Sequence, residues 1–236
     1  MVTIQNINKS FGRMEVLKNI SFNIAENESV AILGPNGSGK STLMKIILGL
    51  VIPDKGDVFI DNISIKENTL YKKNIGYLPQ TVKLPENIKV KEVIQLLENI
   101  RGEKSNADEL SELFEISNYR DYPIRNLSGG TKQKLNLIIS LMFKNKLLIL
   151  DEPTVGLDPV SRIIFKYQIE KEKQKNKSII LCTHIISEVE TLCERMIFLL
   201  EGKVYYDGTI RSLKEHYNEP SLEKIIANII SNTKHV

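Results

Sequence analysis

Gly34 to Ser41 reads GPNGSGKS and fits the pattern G-x-x-x-x-G-K-[ST] at every fixed position. The apolar stretch ESVAIL precedes it, and TLMKIILGL follows with apolar residues at helical spacing, so the loop joins a strand to a helix. That junction directs the chain toward an α/β architecture in which unpaired backbone N–H groups and the positive end of a helix dipole point the same way. The glycines let the backbone curl around phosphates, Lys40 supplies a point charge to the β- and γ-phosphates, and Ser41 offers its hydroxyl to Mg²⁺. The plainer alternative is an ordinary helix-opening turn.

The remaining pattern agrees with this class. VTIQNI and ISFNI alternate in the β manner, NIGYLPQ is a short strand, and KLLILDEP, KSIILCTH and RMIFLLEGKVYYDG return to strand character after the helix-like DPVSRIIFKYQIEKEKQK. Strands that alternate with helices imply a mainly parallel sheet covered on both faces. Between about Lys89 and Arg120 the character is helical instead. VKEVIQLLENI places Val90, Val93, Ile94, Leu97 and Ile100 on one face, and NADELSELFEI follows an Asn-x-x-Glu capping pattern at Asn106 and Glu109. At 236 residues the chain can bury a full core without staples.

Charge and cysteine usage narrow the function. A net charge of +3, from 32 basic and 29 acidic side chains, leaves no basic field for nucleic acid. Cys182 and Cys193 are not in C-x-x-C spacing and the three histidines are scattered, which speaks against structural zinc and a disulfide framework. MVTIQNINKS lacks the form of a leader, and no run approaches the roughly 18 apolar residues of a membrane helix. The expectation is a cytosolic chain whose membrane role, if it has one, comes through a partner.

LLILDEP, Leu147 to Pro153, is an apolar strand ending in two carboxylates. At the carboxyl edge of a parallel sheet, Asp151 would enter the Mg²⁺ shell and Glu152 would polarise an attacking water. Gln80 ends GYLPQ and His184 ends LCTH. A glutamine there can bridge Mg²⁺, water and a moving segment, and a histidine can donate to a γ-phosphate oxygen. Taken singly, each is better explained by a hydrogen-bonded strand end than by a site; their shared position beside the same cradle is what raises them. RNLSGGTKQK adds a second Gly-rich helix start, Gly129 and Gly130, although the loop at Gly34 already serves as a cradle.

GPNGSGKST, LPQ, LSGGTKQK, LLILDEPTVGLDP and CTH occur in an order and spacing that resemble the ATP-binding subunits of ABC transporters, over nearly the whole chain. The resemblance implies a P-loop NTPase fold: a RecA-like core with an antiparallel β subdomain and an α-helical subdomain. It implies one domain over 1–236, the helical subdomain at about 85–140 and a C-terminal helix at about 220–232. It implies that Gly34, Pro35, Asn36, Gly37, Ser38, Gly39, Lys40, Ser41 and Thr42 bind the triphosphate. Gln80 would be the Q-loop glutamine, Ser128, Gly129 and Gly130 the signature, Asp158 the D-loop aspartate, Glu152 the catalytic base and His184 the switch histidine. Ser41, Gln80 and Asp151 would hold Mg²⁺, and Phe11 would stack on adenine, the alternative for that ring being a buried strand end.

The same resemblance implies a head-to-tail homodimer that hydrolyses ATP with Mg²⁺ and powers an integral membrane permease from the inner face of the cell membrane, with no nucleic-acid partner. Within the family, PENIKVKEVI, THIISEVE and SLEKIIANII look like the ATPases of ABC-2 type exporters, and most like the branch serving copper supply for nitrous-oxide reductase maturation. Thr131 departs from the glutamine many members carry after the double glycine, which implies an altered ribose-side contact with hydrolysis retained. In SLEKIIANII, Leu222, Ile225, Ile226, Ile229 and Ile230 recur at helical spacing behind Ser221. This helix either packs on its own domain or meets a partner. Two rivals share the ATP motifs: a non-transport ATPase of the iron–sulfur assembly type, and a module that closes on ATP without hydrolysing it. DNA-repair members are disfavoured because the chain has no room for their long insertions.

Overall fold

The computed structural model describes residues 1–81 and 83–233. In chain order the strands are β1 (Val2–Phe11), β2 (Met14–Ile24), β3 (Ser29–Leu33), β4 (Lys55–Ile60), β5 (Ile63–Ser64), β6 (Ile75–Leu78), β7 (Leu147–Asp151), β8 (Ser178–Cys182), β9 (Arg195–Leu200) and β10 (Lys203–Thr209). The helices are α1 (Lys40–Ile47), α2 (Val90–Arg101), α3 (Ala107–Leu113), α4 (Gly129–Leu141), α5 (Pro159–Gln174), α6 (Ile186–Leu192), α7 (Ile210–Tyr217) and α8 (Leu222–Thr233). The chain divides into two compact units, one of residues 1–25, 29–67 and 181 onward, the other of 26–28 and 68–180.

In the first unit, β2-β1-β4-β5 form an antiparallel sheet. Alternation sets its faces, with a register shift between Ile4 and Ile7 beside left-handed Asn6: Val2, Ile4, Ile7, Ile20, Phe22 and Ile24 are buried. Asp61 and Asn62 take positive φ between β4 and β5, where the short polar side chains of Asx residues tolerate the left-handed region. A second run, β10-β9-β3, places β3 parallel to β9 and β9 antiparallel to β10. The sequence RMIFLLEGKVYYDG, strand-like in its pattern, forms a hairpin. Glu201 (φ 51°) and Gly202 (φ 78°) are both left-handed, as a two-residue turn matched to strand twist requires.

The tail settles one open choice. Leu222, Ile225, Ile226 and Ile229 are buried, and α8 packs beside α7. Ser221 Oγ accepts the Lys224 N–H at 3.3 Å, the first-turn bond expected of an N-cap. The apolar stripe of the tail is core of its own unit.

In the second unit, β6 lies parallel to β7 with Ile75 opposite Leu147 and Leu78 opposite Leu150, and every residue of β7 is buried. Fully buried parallel strands read as continuous apolar runs, which LLIL is. α4 crosses β6 so closely that a Cβ on Gly76 would stand 2.2 Å from Ser140 O. The end of α2 is fixed by Arg101, whose guanidinium donates to the carbonyls of Lys73 and Ile75 and to Asn145 Oδ1, and lies 4.7 Å from the Phe143 ring.

Two local expectations here need correction. The Asn106–Glu109 capping box does not form: Asn106 has φ −96° and ψ 29°, outside the extended region a cap needs, and its Oδ1 has no hydrogen bond among the described residues. Its N–H is instead committed to Met142 O at 3.0 Å. On α2, Val90 and Val93 are buried as the periodicity predicts, but Ile100 is 70% exposed. Among the described residues no helix is long and apolar enough to cross a membrane.

Candidate functional site

The first unit builds the loop from Gly34 to Thr42. β3 is entirely buried, so the chain emerges from it at a fixed point, and the next residues must turn at once into α1. A Cβ on Gly34 would lie 2.2 Å from Leu199 O and 2.5 Å from Ser38 Oγ, and one on Gly39 would lie 2.5 Å from Leu17 Cδ2. At Gly34 the clash with backbone demands glycine; at Gly39 the nearest atom is a side-chain end, and the φ of 101° adds the stronger constraint. Gly37 has open space around it and instead needs its φ of 82°.

Around this turn the polar groups face outward. Gly39 caps α1 in a left-handed conformation with no side-chain acceptor, so the first N–H groups of the helix are not consumed by a capping side chain. Ser41 and Asn36 are exposed, Pro35 and Thr42 half-buried. Lys40 Nζ bends back over the loop and donates to Gly34 O at 2.8 Å and Pro35 O at 3.0 Å. Ser38 is 2% exposed and its Oγ has no hydrogen bond among the described residues. An open helix N-terminus, a lysine ammonium and exposed hydroxyls suit a polyanion.

Two further residues of interest belong to this unit. His184 is exposed just past β8, in a turn braced by Thr183, whose buried hydroxyl donates to Glu188 at 3.0 Å and accepts the Ile185 N–H at 3.1 Å. Phe11 ends β1 and is 52% exposed, with Lys9 Nζ 5.3 Å from its ring centre. It is not a buried strand-end aromatic.

The second unit carries the other group. Asp151 closes β7 and is 5% exposed; Glu152 follows at 8% with φ 52°. A left-handed glutamate is uncommon and strained by about 1–2 kcal/mol. Gln80 is exposed beyond β6. Ser128 caps α4, its Oγ accepting the Thr131 N–H at 3.1 Å, and Ser128 and Gly129 are exposed. Asp158 caps α5, Oδ1 accepting the Ser161 N–H at 2.8 Å and Oδ2 the Ser161 hydroxyl at 2.6 Å. Those two bonds, then Lys134, hold the Asp158 carboxyl well below the usual carboxylate range.

Within this unit α4 gathers the pieces. Gln133 Nε2 donates to Pro153 O at 3.0 Å, Lys134 Nζ lies 3.2 Å from Asp158 Oδ2, and a Cβ on Gly130 would stand 3.3 Å from Gly156 O. The Ser128 turn, the turn after Glu152 and the Asp158 cap are thus one assembly, while Gly34 to Thr42 and His184 belong to the other unit. Gln133 and Lys134 were missed as positioning residues from sequence. Their only sequence signal is that they lie one turn after Gly129 and Gly130 on the same helix.

The comparisons with known proteins point one way. A family model described as ABC transporter matches residues 17–155. The chain is 36% identical over 226 residues to the lantibiotic transport ATP-binding protein SrtF of Streptococcus pyogenes, covering 94% of this chain and 98% of that one. A solved ATP-binding subunit of an ABC transporter has a TM-score of 0.91 at 26% identity, covering 98% of this chain and 99% of that one. A dimeric ATP-binding cassette solved in a post-hydrolysis state with ADP and Pi has a TM-score of 0.79 at 29% identity, covering 89% and 99%. Nothing in these comparisons supports the copper-supply branch expected from the sequence.

Proposed function

The chain belongs to the ABC transporter family as an ATP-binding, ATP-hydrolysing subunit, and on that premise we propose that two copies close head to tail around ATP to drive a separate permease that exports a small peptide-like product. The observation that carries the pairing is the exposed start of α4. Ser128 and Gly129 present an anion-binding helix terminus in a chain whose own triphosphate cradle is at Gly34 to Thr42. A second copy supplies the phosphate for it. The peptide-like cargo is carried over from the lantibiotic relative, and copper is left out because the relatives reported above do not support it.

In this reading 1–236 acts as one ATP-binding domain, with a helical subdomain at about 85–140 and the terminal helix at about 220–232. It sits on the inner face of the membrane through its permease. Phe11, exposed at the end of β1, stacks on adenine. Lys40 leaves the carbonyls of Gly34 and Pro35 for the β- and γ-phosphates. Glu152 takes a proton from the attacking water, His184 donates to a γ-phosphate oxygen, and the partner's signature residues stabilise charge on the phosphoryl group. Asp158 shapes the contact between copies.

Ser41 and Gln80 carry exposed oxygen donors and Asp151 a carboxylate at the end of β7, the hard donor types Mg²⁺ takes, and in this reading they would hold it. When bound, that ion neutralises charge on the β- and γ-oxygens. Gln80 links the γ-phosphate to the helical segment beyond it, which moves the permease.

Mixing two inactive variants tests the reading. Lys40→Ala removes phosphate binding in its own cradle, and Ser128→Arg blocks the signature it offers to a partner. A mixture assembles one intact site per pair and recovers ATPase activity that neither variant shows alone. Absence of any recovery over a range of mixing ratios counts against a shared site.

A further inference from the structure

Ser128 adopts the extended conformation of an N-cap, φ −62° and ψ 161°, and its Oγ accepts the Thr131 N–H at 3.1 Å. The Thr131 Oγ1 lies 2.8 Å from the same oxygen. A serine hydroxyl has one proton and two lone pairs. With one lone pair taken by the Thr131 N–H and the other by the Thr131 hydroxyl proton, the proton of Ser128 is left pointing out of the helix. In the opposite arrangement that proton is consumed by Thr131, and the exposed face of Ser128 offers only lone pairs.

Two physical effects favour the first arrangement. The positive end of the α4 dipole draws lone pairs inward and turns protons away from the helix. A chain running from the Thr131 hydroxyl through Ser128 to an anion also polarises each bond in turn, which strengthens the last donor. The Thr131 hydroxyl has no other hydrogen-bond partner among the described residues, so its proton has no competing destination among them.

We infer that Thr131 is a positioning residue that turns the Ser128 hydroxyl into a donor for the terminal phosphate oxygen of ATP held by a second copy. This inference rests on the head-to-tail site proposed above. It gives Thr131 a task on the phosphate side of the site, where the sequence resemblance implied an altered ribose-side contact. ATP and ADP differ in the phosphate this donor reaches, so the Thr131 hydroxyl contributes to telling them apart.

Thr131→Val keeps the shape and the backbone N–H of the cap and removes only the hydroxyl, while Thr131→Ser keeps the hydroxyl. In the full chain carrying Glu152→Gln to arrest turnover, ATP-driven pairing is followed by light scattering, and ADP binding to the unpaired chain by calorimetry. Thr131→Val raises the ATP concentration for half-maximal pairing about three- to tenfold, and Thr131→Ser returns it to within about twofold of the parent. ADP affinity and the melting midpoint stay at the parent values in both.

Equal losses in Thr131→Val and Thr131→Ser, or a matching loss of ADP affinity, would overturn the inference, as would normal pairing of Thr131→Val beside defective pairing of Ser128→Ala. If Ser128→Ala itself pairs normally with ATP, the head-to-tail reading fails first, and the role of Thr131 fails with it.

Discussion

Lys134 Nζ stands 3.2 Å from Asp158 Oδ2, so the helix that begins at the double glycine is tied to the cap of the next helix. Asp158 already accepts two bonds from Ser161, and the lysine completes the coordination of its second oxygen. Sequence distance hides this pair. Lys134 follows the glycines, Asp158 follows the carboxylate turn, and only the packing of α4 brings them together.

Asp158→Asn keeps a capping acceptor for Ser161 and removes the charge that Lys134 meets. Because the folded carboxyl is depressed below its ordinary value of 3.8, its contribution to stability is complete above that value and fades as pH falls through the lower folded one. Urea unfolding at pH 7 is expected to show a lower midpoint for the variant, with the gap to the parent narrowing below about pH 4. A gap of constant size across that range would mean that the ion pair is not its source.

Gly34 and Gly37 should respond differently to alanine. At Gly34 the new Cβ meets a backbone carbonyl at 2.2 Å as well as an unfavourable φ of 153°; at Gly37 it meets nothing and bears only the φ of 82°. The first substitution is expected to cost about 2–4 kcal/mol and the second about 1–2 kcal/mol, read from denaturant midpoints. Similar losses at both would show that the loop yields where its packing says it cannot.

Ile225 is fully buried on α8. Its truncation to alanine should destabilise the chain by about 2–4 kcal/mol, as for other buried aliphatic side chains. A surface helix awaiting a partner would lose almost nothing, so an unchanged unfolding midpoint would return the tail to that role.

Glu152→Gln removes the only proton acceptor assigned to the attacking water while preserving size. Steady ATP turnover should drop about 10²- to 10⁴-fold with nucleotide binding retained. Phosphate release at near-parent rates would give the proton to another group.

The parts legible in the sequence were those fixed by local chemistry. Strand, loop and helix around Lys40 followed from apolar period and glycine spacing, and the buried run ending at Asp151 followed from its continuous apolarity. What escaped depended on neighbours far along the chain. Met142 O takes the Asn106 N–H and prevents a cap that the local pattern supports. Glu201 adopts a left-handed conformation that its residue type disfavours, so the strand-like pattern of RMIFLLEGKVYYDG did not mark where the β9–β10 turn falls. Gln133 and Lys134 read as solvated helix positions until Pro153 and Asp158 are placed beside them.

The bond from Gln133 to Pro153 O has a kinetic meaning. It ties the helix that starts at Ser128 to the turn after Glu152, and in the proposed head-to-tail pair these two turns would serve different nucleotides. Closure around the first ATP would therefore preset the carboxylates waiting for the second. Turnover would rise sigmoidally with ATP, and cutting the link with Gln133→Leu would flatten the curve toward a hyperbola.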